Sequence, residues 1–483
     1  MAKLKLGPAQ LSSAIAEAER QLELDQNASA STKAAFGLLL LIVKMLIERL
    51  GLNSNNSSLP PSQDPNRARK SKKGAKRRPG GQPGSDGTTL ERVEQPDEIL
   101  EIKIDRRTLP RGEYRPAGLE RRQRIELQMS RHVIEYQAEV LEDAQGRRFV
   151  APFPEGLNRP IQYGGSVKAN AVYLSMFQLI PYERVQRQFE DQYNLPVSTG
   201  SLSNFNLEAH ERLALFEVLA KRQLIQAKAL HADETGINVG GQRLWLHTAS
   251  SAQWTLFAPH PKRGKEAMDA VGILPHFHAT LVHDHWKPYY RYECTHALCN
   301  AHHLRELTHA HEQQSQAWAQ SMRELLLACD LAVQAAGGVL EPRAAGVWRR
   351  RYRRLLKKAD TECPPPPQAA KARPGPTKRS KARNLLERLR AYEDDVLRFM
   401  TDIDVPFTNN QGERDIRMTK VQQKISGCFR SIEGAHSFCR IRSYISTCQK
   451  NGVGAGEALT LLFRGQWPPF IQALRDEEAK GAE

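Results

Sequence analysis

Residues 8–50 repeat apolar side chains at helical spacing: Leu11, Ile15, Ala18, Leu22 and Leu24, then a strongly apolar run from Phe36 to Leu50. That period predicts a helical hairpin or an association helix, with core packing as the ordinary use of its leucines. Over 51–90 the period is lost. Asn53-Ser-Asn-Asn-Ser-Ser, Pro60-Pro61, a basic run and Pro79-Gly-Gly-Gln-Pro-Gly follow one another, a composition that predicts a disordered linker. Over 91–165 the period shortens toward two. Ile99 to Ile104, Arg124 to Met129, His132 to Val140 and Arg148 to Ala151 read as short strands of a small β-rich module. Residues 166–222 return to helical spacing, with helices over Val172–Ile180 and Tyr182–Tyr193 and a further start at Ser201. Two helices around Asn194-Leu-Pro-Val-Ser-Thr-Gly fit a helix-turn-helix DNA-binding region or a plain helical hairpin, and the sequence leaves both open.

The pattern is richest over 223–311. Leu230 to Val239 reads as a strand, Gly240-Gly241 as a two-residue hairpin turn, and Arg243 to Ala249 as the returning strand. Ser250-Ser251 turns again and Gln253 to Ala258 gives a third strand. A helix-like stretch over Lys262–Val271 precedes an apolar strand, Ala279 to Asp284, that ends on a carboxylate. His296 to Cys299 is a fifth short strand and Ala301 to Ala310 a helix. Meander, helix, strand, strand, helix is the order of a ribonuclease H-like α/β domain with a mixed sheet. Such a sheet sets the first strand beside the fourth and so brings Asp233 near Asp284.

Charge divides the chain. Of a net +16 over 483 residues, residues 66–78 hold eight basic side chains and no acid. Residues 343–390 hold sixteen basic residues and three acids, so the two segments carry +21 and the remainder −5. Two polycationic segments on a nearly neutral body imply a polyanionic partner, nucleic acid first, or else solvated tails. No apolar stretch approaches a membrane span, and Met1-Ala-Lys-Leu-Lys lacks a signal-peptide core. Seven cysteines, all after residue 290 and without a CxxC pair, argue for a reducing cytoplasm rather than a disulfide framework.

The candidate chemistry is carboxylate chemistry. Thr408-Asn-Asn-Gln411 has the capping-box pattern, with Thr at the N-cap and Gln at N3, and would place Glu413 in the first turns of a helix. Arg417, Lys420 and Lys424 then fall on its face at i+4, i+7 and i+11. Three carboxylates from two strands and a helix suit Mg²⁺ or Mn²⁺, hard cations that prefer oxygen ligands. Two such ions about 3.5–4 Å apart can assist both the attacking and the leaving oxygen of a phosphodiester. A solvated helix face is the plain alternative. A zinc site is the rival, because His283, His285, Cys294, His296, Cys299, His302 and His303 crowd together. Their spacing lacks the paired CxxC or HxxxH of structural sites, which makes zinc the weaker reading.

Three motifs carry a resemblance: His231-Ala-Asp-Glu-Thr, Val282-His-Asp-His-Trp-Lys-Pro-Tyr-Tyr, and Phe407-Thr-Asn-Asn-Gln-Gly-Glu-Arg-Asp-Ile-Arg. With Lys424-Ile-Ser-Gly-Cys-Phe-Arg, Asn451-Gly452 and the Asn53 and Gly80 segments, they resemble the sixty-six family of bacterial insertion-sequence (IS) transposases. The resemblance is nearer to the subgroup whose transposase acts without accessory proteins. It implies a DDE transposase with Asp233, Asp284 and Glu413 as metal-binding catalytic triad, and Glu234 and His231 as supporting groups. It also implies cleavage at the element's ends, transfer of the 3′-OH into target DNA, and two copies on paired DNA ends. A helical insertion is expected over 312–405, with a loop at its Pro-rich middle, before a catalytic helix and C-terminal helices over 406–483. Arg414, Arg417, Lys420, Lys424, Lys72, Lys73, Arg77 and Arg78 are the candidate DNA contacts. Arg430, Arg440 and Arg442 extend that surface or are ordinary arginines. Relatives carry a cysteine-rich zinc module before the core, whereas residues 91–160 here hold no cysteine. A DNA-binding relic without catalysis remains the alternative of a different class.

Overall fold

The computed structural model describes residues 8–25, 27–53, 56–57, 64, 90–127, 129–365 and 379–481. Helices α1 (Pro8–Leu24) and α2 (Ala30–Gly51) pack on each other, with Lys44 reaching Glu19 at 2.5 Å. Core packing is not what the α2 apolar side chains do: Phe36, Leu39, Ile42 and Leu46 stay exposed. Residues 65–89 lie outside the described residues.

The β-rich module departs from expectation. Its described part holds one hairpin, β1 (Val140–Glu142) with β2 (Arg148–Val150), paired Val140 to Val150. Among the described residues the strands expected over 99–104 and 124–129 do not form, only Val140 of the strand expected over 132–140 does, and Ile102 and Leu127 are 96% and 88% exposed. Alternation makes a strand only where a neighbouring edge and an apolar face receive it, and neither is present here among the described residues.

Helices α3 (Gly165–Val172), α4 (Tyr182–Tyr193), α5 (Thr199–Arg212) and α6 (Ala214–Ile225) follow. A π turn over Tyr173–Phe177 takes the place of the helix expected there. Asn194 closes α4 in the left-handed conformation, and Ser198 caps α5 through the Ser201 N–H.

The sheet is the one the sequence predicts. Its strands are β3 (Ala229–Val239), β4 (Gln242–Ser250), β5 (Thr255–His260), β6 (Thr280–His283) and β7 (Thr295–Leu298), in the order β5-β4-β3-β6-β7. The first three are antiparallel; β3 with β6 and β6 with β7 are parallel. Gly240 and Gly241 take positive φ in the β3–β4 turn, the conformation a two-residue hairpin needs. This mixed α/β architecture is compatible with a ribonuclease H-like core. Helix α7 (Lys265–Val271) links β5 to β6, and α8 (Asn300–Gln314) follows β7.

Neighbouring strand residues face opposite ways, and here they enter different cores. Leu281 joins one large core with α3–α6, the sheet and the C-terminal helices. Val282 joins a second core built by α8 with α9 (Ala317–Ala335), α10 (Pro342–Glu362), α11 (Lys381–Ala391) and α12 (Glu393–Leu397). The described part of residues 312–405 is helical, with its own core against β6 and β7; residues 366–378 of its Pro-rich middle lie outside the described residues. Then come α13 (Asn410–Ser426), α14 (Ile432–Lys450), α15 (Ala455–Phe463) and α16 (Pro469–Gly481). Helix α13 lies on β3 and β4, and α14 on β5. No helix of the described residues is long and apolar enough to cross a membrane.

Candidate active site

The parallel ladder sets two of the carboxylates side by side. His231 of β3 is opposite Val282 of β6, so Asp233 and Asp284 each stand two residues past that pair. The Glu234 N–H donates to Asp233 Oδ1 at 2.8 Å, and the Trp286 N–H to Asp284 Oδ1 at 3.0 Å. His285 next to Asp284 has φ 74°, a costly conformation for a residue with a side chain. Tyr290 and Tyr392 meet the edges of its ring, and its own N–H donates to His283 Nδ1.

Glu413 arrives from the first turn of α13. The start of that helix differs from the capping box. Asn409, not Thr408, holds the N-cap position, and its side chain makes no cap bond. Its Oδ1 accepts from His231 Nδ1 at 2.7 Å, its Nδ2 donates to the Ala232 carbonyl at 3.0 Å, and its N–H points to Cys299 Sγ at 3.1 Å. Asn409 therefore pins α13 to β3 and to the end of β7. A Cβ at Gly412 would sit 3.1 Å from Asn409 Oδ1, so glycine leaves room for this folded-back side chain. Gln411 serves Asp415 at 3.0 Å instead of the helix end.

The acids act on one another electrostatically. Burial first, then the charges of Glu234, Asp284 and Glu413, push the Asp233 carboxyl up to about 8. A fourth carboxylate, Glu234, belongs to this cluster but has partners of its own. Its Oε1 takes Arg263 Nη2 at 2.6 Å and its Oε2 takes the Tyr289 hydroxyl at 2.6 Å. Arg263 is itself stacked between Trp245 and Trp286. Glu413 Oε1 is buried with no hydrogen-bond partner among the described residues, as is His302 Nδ1 at 3.9 Å from it. Arg305 Nη2 stands 3.6 Å from Glu413 Oε2. Oxygen donors that repel one another and leave a buried lone pair unsatisfied fit divalent cations, hard ions held by carboxylates.

The histidines and cysteines of the zinc rival are mostly used otherwise. His283 and His296 meet at 3.2 Å, and His303 pairs with Asn300 at 3.1 Å. Cys299, His302 and Glu413 do place ligand atoms within 4.8 Å of one another. Burial pushes the Cys299 thiol up to about 11.

Of the candidate DNA contacts, Arg414, Arg417 and Lys424 are exposed along α13. Lys420 turns its ammonium to the Gly236 carbonyl at 3.2 Å. Lys72, Lys73, Arg77 and Arg78 lie outside the described residues. Arg440 and Arg442 do not extend the surface. Arg440 binds Glu217 and the His210 carbonyl, and Arg442 is half-buried, donating to the Phe177 carbonyl at 3.1 Å. Their sequence signal, spacing on a helix, does not tell which face packs inward. Sequence reasoning also missed Arg305 and Arg388, which stand beside Asp284.

A mixed sheet with acids gathered where its central parallel ladder ends can frame a nucleic-acid-processing enzyme. The model of the Transposase IS66 family matches residues 160–437, more than half of the chain, and the chain belongs to that family. No curated protein matches it. Family membership suggests an insertion-sequence transposase, with DNA as its partner.

Proposed function

We propose that the chain is a DDE transposase with a ribonuclease H-like core, whose triad is Asp233, Asp284 and Glu413. It cuts DNA at the ends of its element and joins the freed 3′-OH to target DNA. The observation that supports this reading is geometric: Asp233 and Asp284 each stand two residues past the last pair of the β3–β6 ladder, and Glu413 arrives from the first turn of α13 with its Oε1 buried and unpartnered among the described residues. Two Mg²⁺ or Mn²⁺ ions, when bound, would supply Lewis-acid stabilisation to the attacking and leaving oxygens.

The protein's own part is positioning. Backbone N–H groups at Glu234 and Trp286 hold Asp233 and Asp284 in register. Asn409 sets the approach of Glu413. Arg414, Arg417, Lys420 and Lys424 would follow the phosphate backbone away from the triad, with the 66–78 run adding non-specific attraction. Helices α4 and α5 offer a helix-turn-helix-like unit for reading DNA. A homodimer would hold two ends, and the exposed apolar side chains of α2 support self-association.

The test is strand cleavage and joining on the element's terminal DNA with Mg²⁺. Asp233→Asn, Asp284→Asn and Glu413→Gln should each abolish cleavage while DNA binding survives. Substantial Mg²⁺-dependent cleavage by any one of them would overturn the assignment.

A further inference from the structure

Beside Asp284 lies a pocket of about 210 Å³ between α8, α11 and the segment after α2, with Asn56, Asp284, His302, Arg305, Glu306 and Arg388 in its wall. A single water needs only ~10–15 Å³, so the space admits a larger group. Arg388 belongs to the insertion and reaches across to pair with Glu306 of α8. Its Nε is buried without a hydrogen-bond partner among the described residues, and so is His302 Nδ1. A guanidinium keeps its charge when buried, and an unsatisfied buried donor is costly. Arg305 has Glu413 only at 3.6 Å, too long for a hydrogen bond. Two guanidiniums with spare donors therefore line the pocket, and guanidinium N–H groups are the donors that pair best with phosphate oxygens.

We propose that this pocket is a phosphate subsite, in which Arg305 and Arg388 hold a phosphodiester of the DNA strand next to the one placed at the triad. That the anion is DNA rests on the transposase reading; that the pocket takes an oxyanion rests on its own donors. On this view the insertion contributes directly to the active site. Glu306 competes with the phosphate for Arg388, and that competition supplies the test.

The experiment is binding of the full chain to a labelled DNA duplex in EDTA, so that no strand is cut, over a range of salt. Arg388→Gln should weaken binding about tenfold and lower the slope of log K against log salt by about 0.9, the value for one phosphate contact. Arg388→Lys should keep most of that slope, which guards against a variant that merely folds poorly. Glu306→Gln should bind more tightly than the unmodified chain, because Arg388 is released to the phosphate. If Glu306→Gln weakens binding as much as Arg388→Gln, the pair only ties α11 to α8 and the proposal fails. An unchanged slope in Arg388→Gln overturns it equally. Failure of the triad would appear instead as cleavage by the triad variants, with the Arg388 slope intact.

Discussion

Asp233 shows what the site costs the fold. A carboxyl whose pKa rises on folding from the ordinary 3.8 to about 8 contributes stability at low pH that is lost as pH climbs between those values. At neutral pH the unfolded chain has released this proton and the folded chain resists doing so. Asn has no proton to release. Asp233→Asn should therefore raise the melting temperature of the chelator-treated protein, by roughly 2–4 °C for each kcal/mol recovered in a domain of this size. Added Mg²⁺ should stabilise the unmodified chain more than the variant. A variant that melts lower under chelation would mean that Asp233 is well satisfied without a cation. The partnership of Asp233 with Asp284 was legible in the sequence, because strand order alone puts their strands together. Arg388 was not, since its place beside Asp284 depends on how a second core folds across β6 and β7. Nothing in its local sequence encodes that contact.

At the scale of elements, α13 is held by two anchors on different sides. Asn409 ties its start to β3. Asp415, two residues past Glu413, ties it to the rest of the core. Its Oδ2 accepts from Ser250 Oγ at 2.5 Å, Lys450 Nζ at 2.9 Å and Gln411 Nε2 at 3.0 Å. Lys450 comes from α14 and also donates to the Ser251 carbonyl. Both side chains of the pair are nearly buried, 11–12% exposed. Removing one partner of such a pair costs about 3–5 kcal/mol, because the other charge is left alone. Lys450→Met should lower stability by that order and slow cleavage with it, since Glu413 rides on the same turn. Asp415→Asn combined with Lys450→Met should recover much of the stability, which thermal melting of the three variants would measure. No recovery would mean that the pair holds more than each other. The same comparison explains which elements were readable. The strands β3–β5 announce themselves by period and by Gly240-Gly241, both local signals. The N-cap did not, because Asn409 gives its side chain to a strand 177 residues away. The strands expected over 99–104, 124–129 and 132–140 failed for the opposite reason: among the described residues their local period found no edge to pair with, save at Val140.

At the scale of the molecule, the +21 of two segments and the −5 of the remainder belong to different parts of the work. The insertion's share is visible on α10. Arg349 and Arg353 are spent on Glu393, whereas Arg343, Arg350, Arg354 and Lys357 stand exposed at helical spacing. These face solvent on the same helical body that carries Arg388. The 66–78 run lies outside the described residues, in the span joining the α1–α2 hairpin to the rest. Its eight cations have no acids among them to neutralise them. Each phosphate they meet would contribute about 0.9 to the slope of log K against log salt. Deleting residues 66–78 should therefore flatten that slope for binding of long duplex DNA by several times 0.9. It should leave the rate of Mg²⁺-dependent cleavage at saturating DNA unchanged, because no group of the triad is touched. Substituting the exposed α10 cations by Gln should flatten the slope as well, but also raise the DNA concentration at which cleavage saturates. An unchanged slope on deletion would assign the whole electrostatic footprint to the folded body and make the run a solvated tether.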